Sequence, residues 1–129
     1  MPQAQNITVK NGSNVDKTFT LLSPAAGDGG MASWALKEGV NSNTFPTLLV
    51  TTTRAADRRN LHIRFYFPSV YTDATTGLTA VKNRAEVNLK AAIPNDFPEL
   101  SKDDWVAFVC NLIGSTQMRA TIRDALPNT

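Results

Sequence analysis

From Val81 to Pro94 the chain reads VKNRAEVNLKAAIP. Val81, Ala85, Val87, Leu89, Ala91 and Ile93 fall on odd positions, and Lys82, Arg84, Glu86, Asn88 and Lys90 on even ones. Successive side chains of a strand point to opposite faces, so this alternation predicts a long strand with one apolar and one charged face. Only Asn83 departs from it. Wound as a helix, the same charges would spread around the whole cylinder.

The alternation recurs upstream. Ile7 and Val9 alternate with polar neighbours, and Val15, Lys17, Phe19 and Leu21 share one parity after Asn11-Gly12-Ser13-Asn14. Asn-Gly between alternating segments predicts a hairpin with strands at about 6–11 and 15–22, because both residues tolerate positive φ. Residues 23–30, rich in Gly and Pro, predict a loop. No Gly-Lys-Ser/Thr follows these glycines, as a phosphate cradle would need.

A short strand is expected within Met31–Glu38, and another at Thr47–Arg54, TLLVTTTR, whose β-branched residues favour a sheet but give no clear parity. Leu61, Ile63, Phe65 and Phe67 share one face of the next strand, and His62, Arg64 and Tyr66 the other. Pro68 is expected to end it, since proline donates nothing to a ladder. Residues 69–79 then form a loop tipped by Gly77.

Past Pro94 the period changes. Trp105, Phe108, Val109, Leu112 and Ile113 sit at i, i+3, i+4, i+7 and i+8, one helical face. Ser101 is the expected N-cap, with Asp103 and Asp104 offsetting the helix dipole, and Gly114 the stop. Thr116 is expected to cap a second helix carrying Met118, Ile122 and Leu126, ended by Pro127. About six strands followed by two helices predict an α+β fold, an antiparallel sheet with helices on one face. The first helical face is worth on the order of 10 kcal/mol if buried, at about 1.5–3 kcal/mol per large apolar side chain. Two short helices cover too little of such a sheet, so a second chain is expected to supply the rest, and open strand edges invite one.

At 129 residues the chain is one domain by size, with 42% hydrophobic and 19% charged residues. Net charge is only +2, so any nucleic-acid argument rests on where the cations lie. The single cysteine, Cys110, rules out an internal disulfide and is expected as a small buried thiol in the helix. No apolar run approaches the ~18 residues of a spanning helix. MPQAQNITVK lacks the layout of a signal peptide, which makes Asn6-Ile7-Thr8 an accidental glycosylation match.

Nothing predicts an enzyme. With one histidine, one cysteine and no HxxE, CxxC or GxSxG pattern, no catalytic residue, metal site, cofactor or small-molecule substrate is expected. If Leu61–Phe67 pairs with Val81–Pro94, then His62, Arg64 and Tyr66 lie beside Lys82, Arg84, Glu86, Asn88 and Lys90. Cations for phosphate, a ring for base stacking and an amide for base edges would then share one surface. An ordinary solvated sheet face gives the same alternation. Two-fold pairing of chains would double the face.

The order of these elements resembles the coat proteins of single-stranded RNA bacteriophages, the levivirus type. It runs from the NITVKNG hairpin through a Thr/Val-rich strand ending at Arg54, Leu61–Pro68 with Tyr66-Phe67-Pro68, a glycine-tipped loop and Ala92-Ile93-Pro94 to two helices. The resemblance spans essentially the whole chain and implies one coat-protein domain over residues 1–129, with an N-terminal hairpin (6–22), a sheet (31–94) and two helices (101–126). It further implies intertwined homodimers whose sheets join edge to edge into one ten-stranded sheet, each chain's helices lying over its partner. Dimers would assemble in the bacterial cytoplasm into an icosahedral virion shell with the sheet facing the viral RNA. A genomic hairpin bound there would direct packaging and repress translation of the replicase.

Residue by residue, the resemblance assigns RNA contacts to Thr52 and Arg54, to His62, Arg64 and Tyr66, and to Asn88. Lys82, Arg84, Glu86 and Lys90 complete that face. Glu86 stands where some members carry a base-stacking tyrosine, which leaves Tyr66 as the ring available, and Val50 is less polar than the family's base pocket. Trp105, Phe108, Val109, Leu112 and Ile113 become the dimer core, and Tyr71, Thr72, Asp73, Thr76 and Gly77 the loop around the symmetry axes. A small dimeric RNA-binding regulator that forms no shell is the alternative.

Overall fold

The computed structural model describes residues 3–38 and 44–128. They fall into two compact units, the first ending at Ile93 and the second beginning at Pro94. The first is a six-stranded sheet in sequence order: β1 (Ile7–Lys10), β2 (Asp16–Ser23), β3 (Met31–Ala35), β4 (Thr47–Arg54), β5 (Arg58–Thr72) and β6 (Thr79–Pro94). The second holds α1 (Glu99–Ile113) and α2 (Thr116–Asp124). The expected α+β order of strands then helices is the one observed.

The pairings from β1 through β5 are antiparallel, and their register sorts residues by face. Directly opposed residues share a face. Ile63 faces Val50, Phe65 faces Leu48, and Trp34 faces both Leu48 and Leu21, which gives a continuous apolar side. His62 faces Thr51, Arg64 faces Leu49, and Tyr66 faces Thr47 on the other side. Among the described residues, Ala32, Trp34 and Ala35 are buried, as is Pro46 just before β4.

The hairpin of β1 and β2 folds back over the apolar side. Phe19 of β2 lies edge-on to Phe65 of β5, with ring centroids 6.0 Å apart, although β3 and β4 stand between their strands. Neighbouring strands are ~4.8 Å apart, so this contact requires β2 to leave the plane of the sheet. Between Leu21 and Ser23 the pairing with β3 slips, and the extra residue, Leu22, allows the bend. Trp34 Nε1 donates to Gln5 O at 2.8 Å, and Lys17 pairs with Glu38 at 2.7 Å, fixing the hairpin in place.

Several local expectations are corrected. In the first turn the positive φ falls on neither Asn11 nor Gly12. Asn14 carries the positive φ of 63°, while the Asn11 side chain accepts from Ser13 N and Val15 N at 2.9 and 3.0 Å. Those side-chain bonds add to the backbone ones, from Asn11 N to Val15 O and from Asn14 N to Asn11 O. Strand β5 passes straight through Pro68 to Thr72. Beyond Tyr66 it has outrun β4, so a proline nitrogen turned to that open side forfeits no ladder bond. The following loop is therefore shorter than expected, and Asp73 organises it. Its N donates to Leu78 O, its carbonyl accepts from Gly77 N, and its carboxylate accepts from Thr75 N.

Pro98, not Ser101, precedes the first turn of α1, so Glu99 is its first-turn acid and Asp103 and Asp104 lie beyond that turn. The fixed φ of proline starts the helix earlier than any side-chain cap. At α2 the N-cap is Ser115, one residue before Thr116, and its hydroxyl accepts from Met118 N at 3.3 Å. Gly114 does end α1, but at φ −83°. The left-handed C-cap belongs to Ala125, at φ 53°. No residue of α1 or α2 is buried. Phe108 and Leu112 are 64% and 63% exposed, and Cys110, expected inside, is exposed as well. Trp105 packs edge-on against Phe97 at 6.4 Å.

Candidate nucleic-acid interface

The polar side of the sheet gathers most of the charged residues that the alternation singled out. On β5, His62, Arg64 and Tyr66 alternate with Leu61, Ile63 and Phe65 and are half-buried. Arg84 of β6 reaches the same side, its guanidinium carbon 4.7 Å from the centre of the Tyr66 ring. A cation over an aromatic face is held by the ring quadrupole, which leaves both planes preset for stacking. Arg64 donates to Met31 Sδ at 3.3 Å across β4, a weak acceptor for a guanidinium.

Toward the other end of β6, a groove of about 510 Å³ is lined by Thr51, Thr53, Asn60, His62, Arg64 and Lys90 among others. A larger cleft of about 820 Å³ near the β5–β6 loop includes Thr47, Tyr66, Asn83 and Arg84 in its lining. Lys82, Glu86 and Asn88 are exposed on β6. Leu89, Ala91 and Ile93 are half-buried while Asn88, Lys90 and Ala92 are exposed, so the apolar alternation is realised there. Val81 and Val87 stay exposed, because β6 ends the sheet.

Thr52 and Arg54 do not belong to this surface. Thr52 is paired with Leu61 and Arg54 with Arg59, which puts both on the apolar side, while Thr51 and Thr53 pair with His62 and Asn60. A one-residue difference in register moves every side chain of a strand to the opposite face. For the same reason Val50, opposite Ile63, is a half-buried residue of the apolar side and not a poorly polar pocket residue. Thr51 and Thr53 are thus the hydroxyls that sequence reasoning missed. TLLVTTTR carries no parity of its own, and only the pairing with β5 reveals them.

The turn between β4 and β5 holds a separate charged cluster. Asp57 accepts from Arg58 at 3.3 Å, and that hydrogen bond with the guanidinium charge holds its carboxyl below the usual range. Arg59 pairs with Asp28 of the preceding loop, whose neighbour Gly29 donates to Thr52 O at 2.7 Å. Both anions are therefore taken up locally, away from the polar face. Among the described residues, no three His, Cys, Asp or Glu side chains gather as a metal ion would need, and no helix is long and apolar enough to cross a membrane.

Solved structures of similar fold cover nearly the whole chain. The virus-like particle of bacteriophage NT-214 matches with a TM-score of 0.84 at 18% identity, covering 99% of this chain and 100% of that one. The virus-like particle of Beihai levi-like virus 21 gives 0.85 at 15% identity, with 99% of each chain covered. The capsid protein of bacteriophage GA gives 0.68 at 20% identity over 95% of each. No curated protein matches in sequence. The sequence pattern of the family described as Levivirus coat protein nevertheless fits residues 2–128. A match of that extent agrees with the strand order and the two terminal helices, and with the expectation of a structural, non-enzymatic protein: the chain belongs to the levivirus coat protein family and is a capsid subunit.

Proposed function

We propose that two copies of the chain pair through their β6 edges into one continuous sheet, with α1 and α2 of each copy lying over its partner, and that these dimers close into an icosahedral shell. The observation that carries this reading is the amount of apolar surface left outside. Leu100, Phe108, Leu112, Ile122 and Leu126 are all more than half exposed, and among the described residues the 16-residue strand β6 has no neighbour on its outer side. An open edge and an uncovered apolar helix face are both resolved by a second copy. Trp105, Phe108, Val109, Leu112 and Ile113 form the dimer core in this reading. The two compact units then act as a single coat-protein domain.

In the same reading the polar side faces inward and binds a hairpin of the viral RNA, for packaging and for repression of the replicase, as assembly proceeds in the host cytoplasm. Arg64, Arg84, Lys82 and Lys90 supply cations for phosphate, Tyr66 a stacking ring, and Thr51, Thr53, His62, Glu86 and Asn88 polar groups for base and sugar edges. Tyr71, Thr72, Asp73, Thr76 and Gly77 meet their counterparts on neighbouring dimers.

Expression of the chain alone, followed by electron microscopy and nuclease digestion, tests both parts. Uniform hollow spheres holding protected RNA are the expected result. Dimers that bind RNA without forming spheres would favour a regulator over a shell, and a stable monomer would remove the reading altogether.

A further inference from the structure

We infer that Met31 is an oxidation site whose sulfoxide draws Arg64 away from RNA. This rests on the RNA-facing reading of the polar sheet side. Met31 opens β3 and is 45% exposed. It pairs with Thr51, which pairs with His62, so Met31 stands on the face that carries His62 and Arg64. Two strands apart, its sulfur and Arg64 Nη2 meet at 3.3 Å over β4. Both side chains are long and unbranched, which lets them span that strand.

The contact is a poor one for a cation. A thioether is a weak acceptor, and Arg64 Nε, shielded from water, has no hydrogen-bond partner. Nη2 is thus held weakly and is free to turn toward a better acceptor. Arg64 lines the groove beside β6, where RNA would offer one.

Oxidation puts a rival acceptor in place. A sulfur lone pair attacks one oxygen of a hydroperoxide such as hydrogen peroxide. The S–O bond forms, the O–O bond breaks, and the second oxygen leaves as hydroxide and takes up a proton. Sulfur gives up two electrons and the peroxide gains them. The new oxygen carries partial negative charge and accepts a charge-assisted hydrogen bond where the thioether accepted a weak one. It is built on the atom that Nη2 already touches. Met31 lies outside the buried core, so the added polarity is met by water and the sheet is left intact. The change is also reversible, since sulfoxide reductases restore the thioether.

The test uses the purified protein stripped of nucleic acid and treated with hydrogen peroxide, with peptide mass mapping to locate the added oxygen. Met31 should gain one oxygen, and affinity for an RNA stem-loop should fall about tenfold, the worth of one hydrogen bond to a charged group. Met31→Leu, treated alike, should keep its affinity, which separates this site from oxidation at Met1, Met118 or Cys110. Met31→Gln carries a permanent amide oxygen for Arg64 and should bind weakly without peroxide. Met31 left unoxidised, oxidation without loss of affinity, a loss that persists in Met31→Leu, or native affinity in Met31→Gln overturns the inference and leaves the RNA-facing reading standing. Failure of the untreated protein to bind the stem-loop overturns that reading, and this inference with it.

Discussion

The guanidinium of Arg84 lies over the ring of Tyr66, 4.7 Å from its centre, and so ties β6 to β5 on the polar side of the sheet. The pair presents a flat aromatic ring and a flat cation together, the two surfaces on which an unpaired base stacks. Tyr66→Leu should weaken binding of single-stranded and hairpin RNA alike, by about 1–3 kcal/mol, the usual worth of one base–aromatic stack. Filter binding with several unrelated RNAs would show a loss of similar size for all. Unchanged affinity would place the stacked base elsewhere.

Arg64→Ala and Lys82→Ala should each flatten the salt dependence of RNA binding. Deleting a cation that neutralises one phosphate lowers the log–log slope by about 0.7 on single-stranded RNA. Asn88→Ala should leave the slope alone and reduce discrimination between hairpins, since an amide reads base edges. A slope that stays put in both cation variants would mean that the phosphates run along another surface.

The register of β4 gives a sharper comparison. Thr51 and Thr53 share the face of His62, whereas Thr52 is paired with Leu61 on the apolar face. Thr51→Val should therefore reduce RNA affinity, and Thr52→Val should leave it unaltered. Side-by-side binding curves decide the point. Loss of affinity in the Thr52 variant alone would contradict the pairing described for β4 and β5.

Ala125 closes α2 in the left-handed conformation, at φ 53°, where a Cβ crowds the following carbonyl. Ala125→Gly removes that crowding, although glycine also frees the unfolded chain. A net gain of about 0.5–1 kcal/mol is expected. Denaturant unfolding of the dissociated protein should report it. A destabilised Ala125→Gly would mean that the cap is not left-handed in solution.

Trp34 is 8% exposed, and its indole N–H donates to Gln5 O. Trp34→Phe keeps a ring in place but abandons that carbonyl, for a loss of about 1 kcal/mol, while Trp34→Ala should cost about 3–5 kcal/mol. Equal losses in the two variants would show that the hydrogen bond, not the packing, holds the folded-back hairpin.

How much of this could be read from the chain depended on how each strand is written. In β5 the strict alternation of Leu61, Ile63 and Phe65 with His62, Arg64 and Tyr66 assigns both faces without a partner, and the structure keeps that assignment. Strand β4 offers Leu48 and Leu49 side by side, then Val50 and three threonines, so either parity is chemically acceptable and only the pairing chooses. Helix ends differ from expectation by one to three residues, because Pro98 and Ser115 compete with equally suitable neighbours, Ser101 and Thr116. Pro68 misleads for a different reason. The rule against proline in a ladder holds where both sides are paired, and β5 at that point has lost its β4 neighbour. The fold-back of the first hairpin is not legible at all, since it depends on one residue slipping past Trp34.

Strand β5 outruns β4 by the six residues Phe67–Thr72, and there its ladder partner is β6 alone. A two-stranded ribbon twists and tilts far more readily than the slab it grows from. If copies in the proposed shell meet in unlike surroundings, they need a part that yields while the rest keeps its shape. A projecting ribbon whose tip is locked by Asp73 can lean as one piece, so a single gene product can fit unequal neighbourhoods without refolding.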